Sequence, residues 1–295
     1  MTAVGRPGAR VQFTAGTARL AAALPTPDGW EPAMASLVSP GTELRHLAAT
    51  TRGPGRAAGY MTLARRGDGL QLAPVPHGAP VPPRTPRSLA IPAGTPAERV
   101  AIARFQLMAA LGLAAHLPAI RAADRVLVTG SGPVATGCAL ELRRIGATQV
   151  TVATRHPGPA AAGIPGTVIS RLPGPTCAVV IECTGHTASG LELTSPGGFL
   201  GLLGTPRDSE GLPAAAVHRA GVTIAGMHEL AGYDAARYQD TFTTVLEWAT
   251  LAIGDRQARS WCRTVPGEDA PALYACLQGP GRPPEPFLIL NWSTL

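Results

Sequence analysis

The stretch VLVTGSGPVATG, residues 126–137, decides the fold. Its opening residues are apolar and β-branched, which suits a strand buried on both faces. Gly130-x-Gly132-x-x-Ala135 follows at once, and VATGCALELRRIG, 134–146, then has the periodicity of a helix closed by Gly146. The first glycine allows the tight turn and the second lets backbone approach a pyrophosphate. The third position needs only a small side chain, which Ala135 supplies. The helix start offers unpaired N–H groups and a positive dipole end to phosphate. Gly130, Ser131, Gly132, Pro133 and Val134 are therefore the expected cradle of a dinucleotide. The alternative is a glycine-rich turn that only packs.

Downstream, strands and crossovers alternate: QVTVATR (149–155), GTVIS (166–170), CAVVIECTG (177–185), GFLGLLG (198–204) and VTIAGMHE (222–229). Apolar strands in this rhythm predict an α/β fold with a doubly wound parallel sheet of Rossmann type. Pro157, Pro159 and Pro165 predict a loop over 155–166, where such folds usually place a helix. Thr154, Arg155 and His156 stand where an acid would hold a ribose 2′-hydroxyl. A hydroxyl and a guanidinium suit a 2′-phosphate instead, so NADPH is expected over NADH. The alternative is that Arg155 is a solvated loop residue. Cys183, Thr184 and Gly185 end the fourth strand, and Gly204 and Thr205 end the fifth. Small residues there make a floor for the nicotinamide half, ordinary strand-end packing being the alternative for Cys183 and Thr184.

Upstream, ARVQFTAGTARLAAAL (9–24) reads as two strands around Ala15-Gly16. EPAMASLV (31–38) runs as a strand into SPGTELR, a helical turn that Thr42 is placed to cap. TPAERVAIARFQLMAALGLAAHL (95–117) opens with Thr95, Pro96 and Glu98, a capping-box start to a helix. After 230 come a helix over 235–253, a strand ARSWCRTV, a helix GEDAPALYACLQ and a last strand PFLILNW.

The chain has 295 residues, a net charge of +6 and no lysine. The arginines are scattered, without the basic stripe or stacking platform of a nucleic-acid surface. Absence of lysine excludes a Schiff base and a GK[ST] phosphate loop. Five cysteines without a CxxC pair suit free thiols in a reducing cytoplasm. No signal-peptide pattern opens the sequence, and the apolar run 105–120, broken by His116 and Pro118, reads as too short to span a bilayer.

These pieces in this order resemble the medium-chain dehydrogenase/reductase superfamily, in its zinc-type alcohol dehydrogenase and quinone oxidoreductase branches. The likeness rests on SPGTEL, PAERVAIARFQLMAALGL, RVLVTGSGPVATGCALELRRIGATQVTV, VVIECTG, SPGGFLGLLGTPR, AVHRAGVTIAGMHE and VPGEDAPALYACLQ. It implies a Rossmann domain over 97–232 and a reduced GroES-like catalytic domain from 1–96, completed by 233–295. It also implies a small-molecule substrate and a homodimer. At the positions where zinc members carry ligands stand Pro40, Tyr60, Met61, Phe105 and Gln106, so no zinc is expected. Thr42 falls where the family has the hydroxyl that relays a proton to substrate oxygen. Tyr60 is a second candidate donor, and Glu43 is expected to orient the loop or pair with Arg45. The resemblance implies an NADPH-dependent, zinc-independent reductase of a carbonyl or activated C=C. Residues 50–60 replace a longer loop, which leaves two alternatives: non-redox chemistry on the same scaffold, and a non-catalytic NADPH-binding scaffold.

Overall fold

The computed structural model describes residues 9–22, 25–121, 123, 125–147, 149–156, 158, 163–164, 167–171, 176–207 and 211–293. Two compact units emerge from its contacts: Met1–Ala101 with Cys262–Pro283 and Phe287–Leu295, and Ile102–Trp261 with Pro284–Pro286. The segment 233–261, expected with the C-terminal part, groups with the second unit.

The first unit begins with β1 (Ala9–Thr14) and β2 (Thr17–Ala22), an antiparallel hairpin. Ala15 and Gly16 both take positive φ, 49° and 72°. Such a two-residue turn matches the right-handed twist of the strands it joins. There follow β3 (Ala33–Val38), β4 (Arg56–Ala57), β5 (Thr62–Arg66), β6 (Gly69–Ala73) and β7 (Leu89–Ile91). The helical turn expected after β3 is a full helix, Pro40–Ala49. Pro40 presets its first φ and lacks only an N–H that would have had no partner.

The second unit is built on β8 (Arg125–Thr129), β9 (Gln149–Thr154), β10 (Thr167–Arg171), β11 (Cys177–Glu182), β12 (Thr194–Leu202) and β13 (Thr223–Gly226). They form one six-stranded sheet in the order β10-β9-β8-β11-β12-β13, every pair parallel. The chain thus winds outward one way from β8 and then the other way from β11. The point of reversal lies between these two, and ligands bind in the crevice at its carboxyl end. Leu127, Val180 and Leu200 are wholly enclosed, as two-sided sheets require. Most of the loop expected over 155–166 lies outside the described residues.

The helix Ala97–Leu113 continues through a 3-10 turn into Leu117–Arg121. The whole stretch is long and apolar enough to cross a membrane, more than the sequence reading allowed, but it is two-thirds buried, as a core helix is. Residues 258–260, expected in a strand, belong to a helix Asp255–Ser260 that precedes β14 (Cys262–Pro266). With β15 (Phe287–Asn291), β14 returns to the first unit. There the six-stranded order is β14-β15-β3-β5-β6-β7, and β2-β1-β4 form a smaller sheet. Its core gathers Val11, Phe13, Val38, Leu47, Tyr274, Leu290 and Trp292 from both chain ends.

Candidate functional site

The loops after β8 and β11 flank the reversal point. Gly130 takes φ +96°, and a Cβ there would lie 2.8 Å from Thr184 Cγ2. Only glycine serves this turn, on conformation and on space. Gly132 is the N-cap of the helix Pro133–Arg144. Pro133 has no N–H, so Val134 and Ala135 carry the unpaired first-turn donors of this helix. Gly130, Ser131, Gly132 and Val134 are half-buried and Pro133 is buried. Ala135 is 2% exposed, consistent with the small residue the motif needs there. One turn on, Gly137 meets the helix Ala97–Leu113 so closely that a Cβ would lie 2.4 Å from Phe105 O.

The turn is laced to the end of β9. Ser131 Oγ donates to His156 O at 2.6 Å, Thr154 Oγ1 donates to Ser131 Oγ at 3.1 Å, and His156 N donates to Thr154 Oγ1 at 3.1 Å. Thr154 is 3% exposed. Its hydroxyl is occupied in shaping the loop. Arg155 and His156 are exposed.

The loop after β11 is organised by a residue the sequence reading passed over. Glu182 is 1% exposed. Its Oε1 accepts from Thr129 Oγ1 at 3.1 Å, from Thr184 N at 2.6 Å and from Thr184 Oγ1, and its Oε2 accepts from Gly185 N at 2.8 Å. Thr129 Oγ1 in turn accepts from Cys183 N at 3.1 Å. One carboxylate therefore fixes all three residues of the loop, and Gly185 sits at φ +82°. The sequence signal was an acid ending an apolar strand, beside a threonine ending the neighbouring one. Burial, then the neighbouring Cys138 and Glu182, hold the Cys183 thiol protonated well above its usual range. That suits packing and not nucleophilic chemistry. Gly204 is buried, and a Cβ there would lie 2.5 Å from the Cys183 carbonyl carbon. Its smallness lets the two strand ends lie close together. Thr184 and Thr205 are exposed.

In the first unit, Thr42 is not a helix cap. Ser39 holds that position, and its N–H donates at 2.8 Å to Glu43 Oε1. Thr42 is half-exposed in the first turn, and its hydroxyl has no hydrogen bond among the described residues. Glu43, expected to orient the loop or pair with Arg45, is wholly enclosed. It takes further hydrogen bonds from His77 Nε2 at 3.0 Å and from the Tyr274 hydroxyl, both on Oε2. Burial alone would raise its carboxyl, but the His77 charge and the bonds from His77, Ser39 and Tyr274 outweigh this and hold it below the usual carboxylate range. Burial, then the Glu43 charge, keeps the Tyr274 phenol protonated well above its ordinary range. Glu43 thus positions a helix and does not meet substrate. Tyr60 is half-buried, close enough for its phenol to act on that of Tyr274. No cluster of metal-ligating side chains is present among the described residues.

No family model matches the sequence, and no curated protein does. Solved structures match along nearly the whole chain. A quinone oxidoreductase from Thermus thermophilus, solved also with NADPH, aligns over 96% of this chain and 99% of its own at 19% identity, with a TM-score of 0.66. An alcohol dehydrogenase from Thermotoga maritima aligns over 97% and 100% at 13% identity, with a TM-score of 0.70. An acetophenone reductase from Geotrichum candidum, in complex with NAD, aligns over 97% and 98% at 13% identity, with a TM-score of 0.71. At these identities the likeness establishes a shared fold.

Proposed function

The fold is that of the medium-chain dehydrogenases and reductases, and from it we propose that the chain is a zinc-independent, NADPH-dependent reductase of a carbonyl or activated C=C in a small metabolite. One observation carries the cofactor assignment. A glycine turn over an open helix start at the sheet's reversal point is tied to a β9 end that presents Arg155, and no carboxylate, to solvent. The donor set fits NADPH. Val134 and Ala135 N–H and the helix dipole would hold the diphosphate, and Arg155 would pair with the 2′-phosphate.

Bound NADPH supplies the hydride. The chain's own part is to hold it, to keep the loop over Cys183–Gly185 in one shape through Glu182, and to stabilise charge on the substrate oxygen. Pro40, Tyr60, Met61, Phe105 and Gln106 are not ligands for zinc, so hydrogen-bond donors must meet that charge. Thr42 Oγ1 is the first donor, because its hydroxyl is uncommitted, and Tyr60 is the second. We place the protein in the cytoplasm as a homodimer, on its free thiols and the habits of the fold, and in a specialised biosynthetic role.

The test is a fluorescence titration with NADPH and NADH, followed by NADPH oxidation with a panel of enones, quinones and aldehydes. Arg155 is exposed, so screening discounts its pairing, and R155A is expected to weaken NADPH about three- to tenfold while leaving NADH unchanged. No dinucleotide binding at millimolar concentration would end this reading. Turnover without NADPH consumption would move it to non-redox chemistry.

A further inference from the structure

His77 lies at the junction of two segments that carry candidate proton donors. On one side its Nε2 donates to Glu43, which grips the first turn of the helix Pro40–Ala49, where Thr42 sits. Since the ionised carboxylate only accepts, the ring must carry its proton on Nε2. On the other side the ring lies beneath Gly59, the residue before Tyr60. Gly59 takes φ +81°, and a Cβ there would lie 2.4 Å from three ring atoms. The backbone repeats the tie: His77 N donates to Ala58 O at 2.8 Å, and Ala58 N donates to Val11 O at 3.0 Å. His77 and Glu43 have no exposed surface, so neither can touch a substrate. Tyr274 closes the group from the C-terminal part of the chain, braced edge-on by Phe13 with ring centroids 5.0 Å apart.

We propose that His77 is a positioning residue for the reduction assigned above: through Glu43 it sets the helix turn bearing Thr42, and through Gly59 it sets the backbone bearing Tyr60. The side chain does both jobs because imidazole combines a flat ring, which fits under a glycine, with a donor at its far edge. Phenylalanine keeps the ring and loses the donor. Glutamine keeps a donor and loses the ring. The assignment rests on the reductase reading, and its test separates the two.

The experiment is a double-mutant cycle of H77F and T42V, with H77Q alongside, reading kcat, KM, NADPH affinity and melting temperature. Displaced donors lower the chemical step without touching dinucleotide contacts, which belong to the other unit. H77F is expected to lower kcat about ten- to a hundredfold and to leave NADPH affinity unchanged. In a T42V background it should lower kcat by a smaller factor than in wild type, because the Thr42 arm is already gone and only the Tyr60 arm remains. H77Q should recover part of the lost rate. If H77F does not fold, E43Q takes its place in the cycle with the same expectation. Wild-type kcat in folded H77F, or effects of the two substitutions that simply multiply, would overturn the assignment while leaving the reductase reading intact. Wild-type protein that neither binds nor oxidises NADPH would overturn both.

Discussion

Replacing Glu182 by glutamine tests whether one carboxylate shapes the carboxyl end of the sheet. Glu182 is 1% exposed and takes three hydrogen bonds on Oε1 and one on Oε2. An amide has one accepting oxygen, so E182Q keeps it on the crowded side and turns its NH₂ toward the Gly185 N–H. One bond to a charged group disappears, and a buried backbone donor faces another donor. Such a loss costs about 1.5–3 kcal/mol. At roughly 2–4 °C per kcal/mol for a unit of this size, about 2 kcal/mol lowers the melting temperature by about 4–8 °C. The same change frees Gly185 and so loosens its neighbour Thr184, whose methyl packs on the Gly130 turn. NADPH affinity should therefore fall about tenfold, equivalent to about 1.4 kcal/mol. Differential scanning fluorimetry and NADPH titration read the two effects, and E182A, which strands every donor, should exceed E182Q in both. An E182Q protein with wild-type melting and wild-type NADPH affinity would refute the account.

Two further outcomes follow from the packing and the electrostatics. G137V forces a side chain against Phe105 O, where a Cβ alone would sit at 2.4 Å. The clash is with backbone that cannot swing aside, so a loss of about 1–3 kcal/mol or more is expected in urea melts. G226A, where an added methyl meets nothing within 4 Å, is the neutral control. For Glu43 the folded carboxyl lies below its ordinary value of 4.5. Below that pH the unfolded chain binds a proton the folded chain refuses, so stability is lost as pH falls through the folded value. E43Q is expected to be less stable at neutral pH and to flatten this acid limb, read by urea melts at stepped pH. An acid limb as steep as that of wild type would show that Glu43 does not carry it.

The parallel sheet was legible because its signals are local. Strand, glycine turn and helix follow one another from Val126 to Gly146, and apolar strands announce two-sided burial. The lacing of the site was not legible, because its partners are distant. Glu43 meets His77 across 34 residues and Tyr274 across 231, and no window of sequence brings them together. Thr42 was misplaced as a cap because Pro40 allows the helix to start earlier than the Ser-Pro-Gly-Thr pattern suggests. Thr154 was read by analogy with an acid at the same place, but its short hydroxyl reaches Ser131 before it reaches solvent. Residues 258–260 were drawn into a strand by the apolar residues beyond them, although Asp255 begins a helical turn. The chance to find Glu182 lay in VVIECTG itself, since a charge at the end of a buried strand needs partners.

The pairing of β3 has a consequence for synthesis. This strand lies between β5 and β15 in its sheet, and Trp292 reaches Ser36 across 256 residues. On the ribosome, Ile102–Trp261 is complete before β15 has been made, so the parallel-sheet unit is the first able to fold. Until then Leu37 and Val38, which end up with no exposed surface, stand on an open strand edge of the kind that recruits other chains. Leu37 and Val38 are thus made well before the strand that covers them, and that edge is exposed to aggregation for as long as β15 is missing.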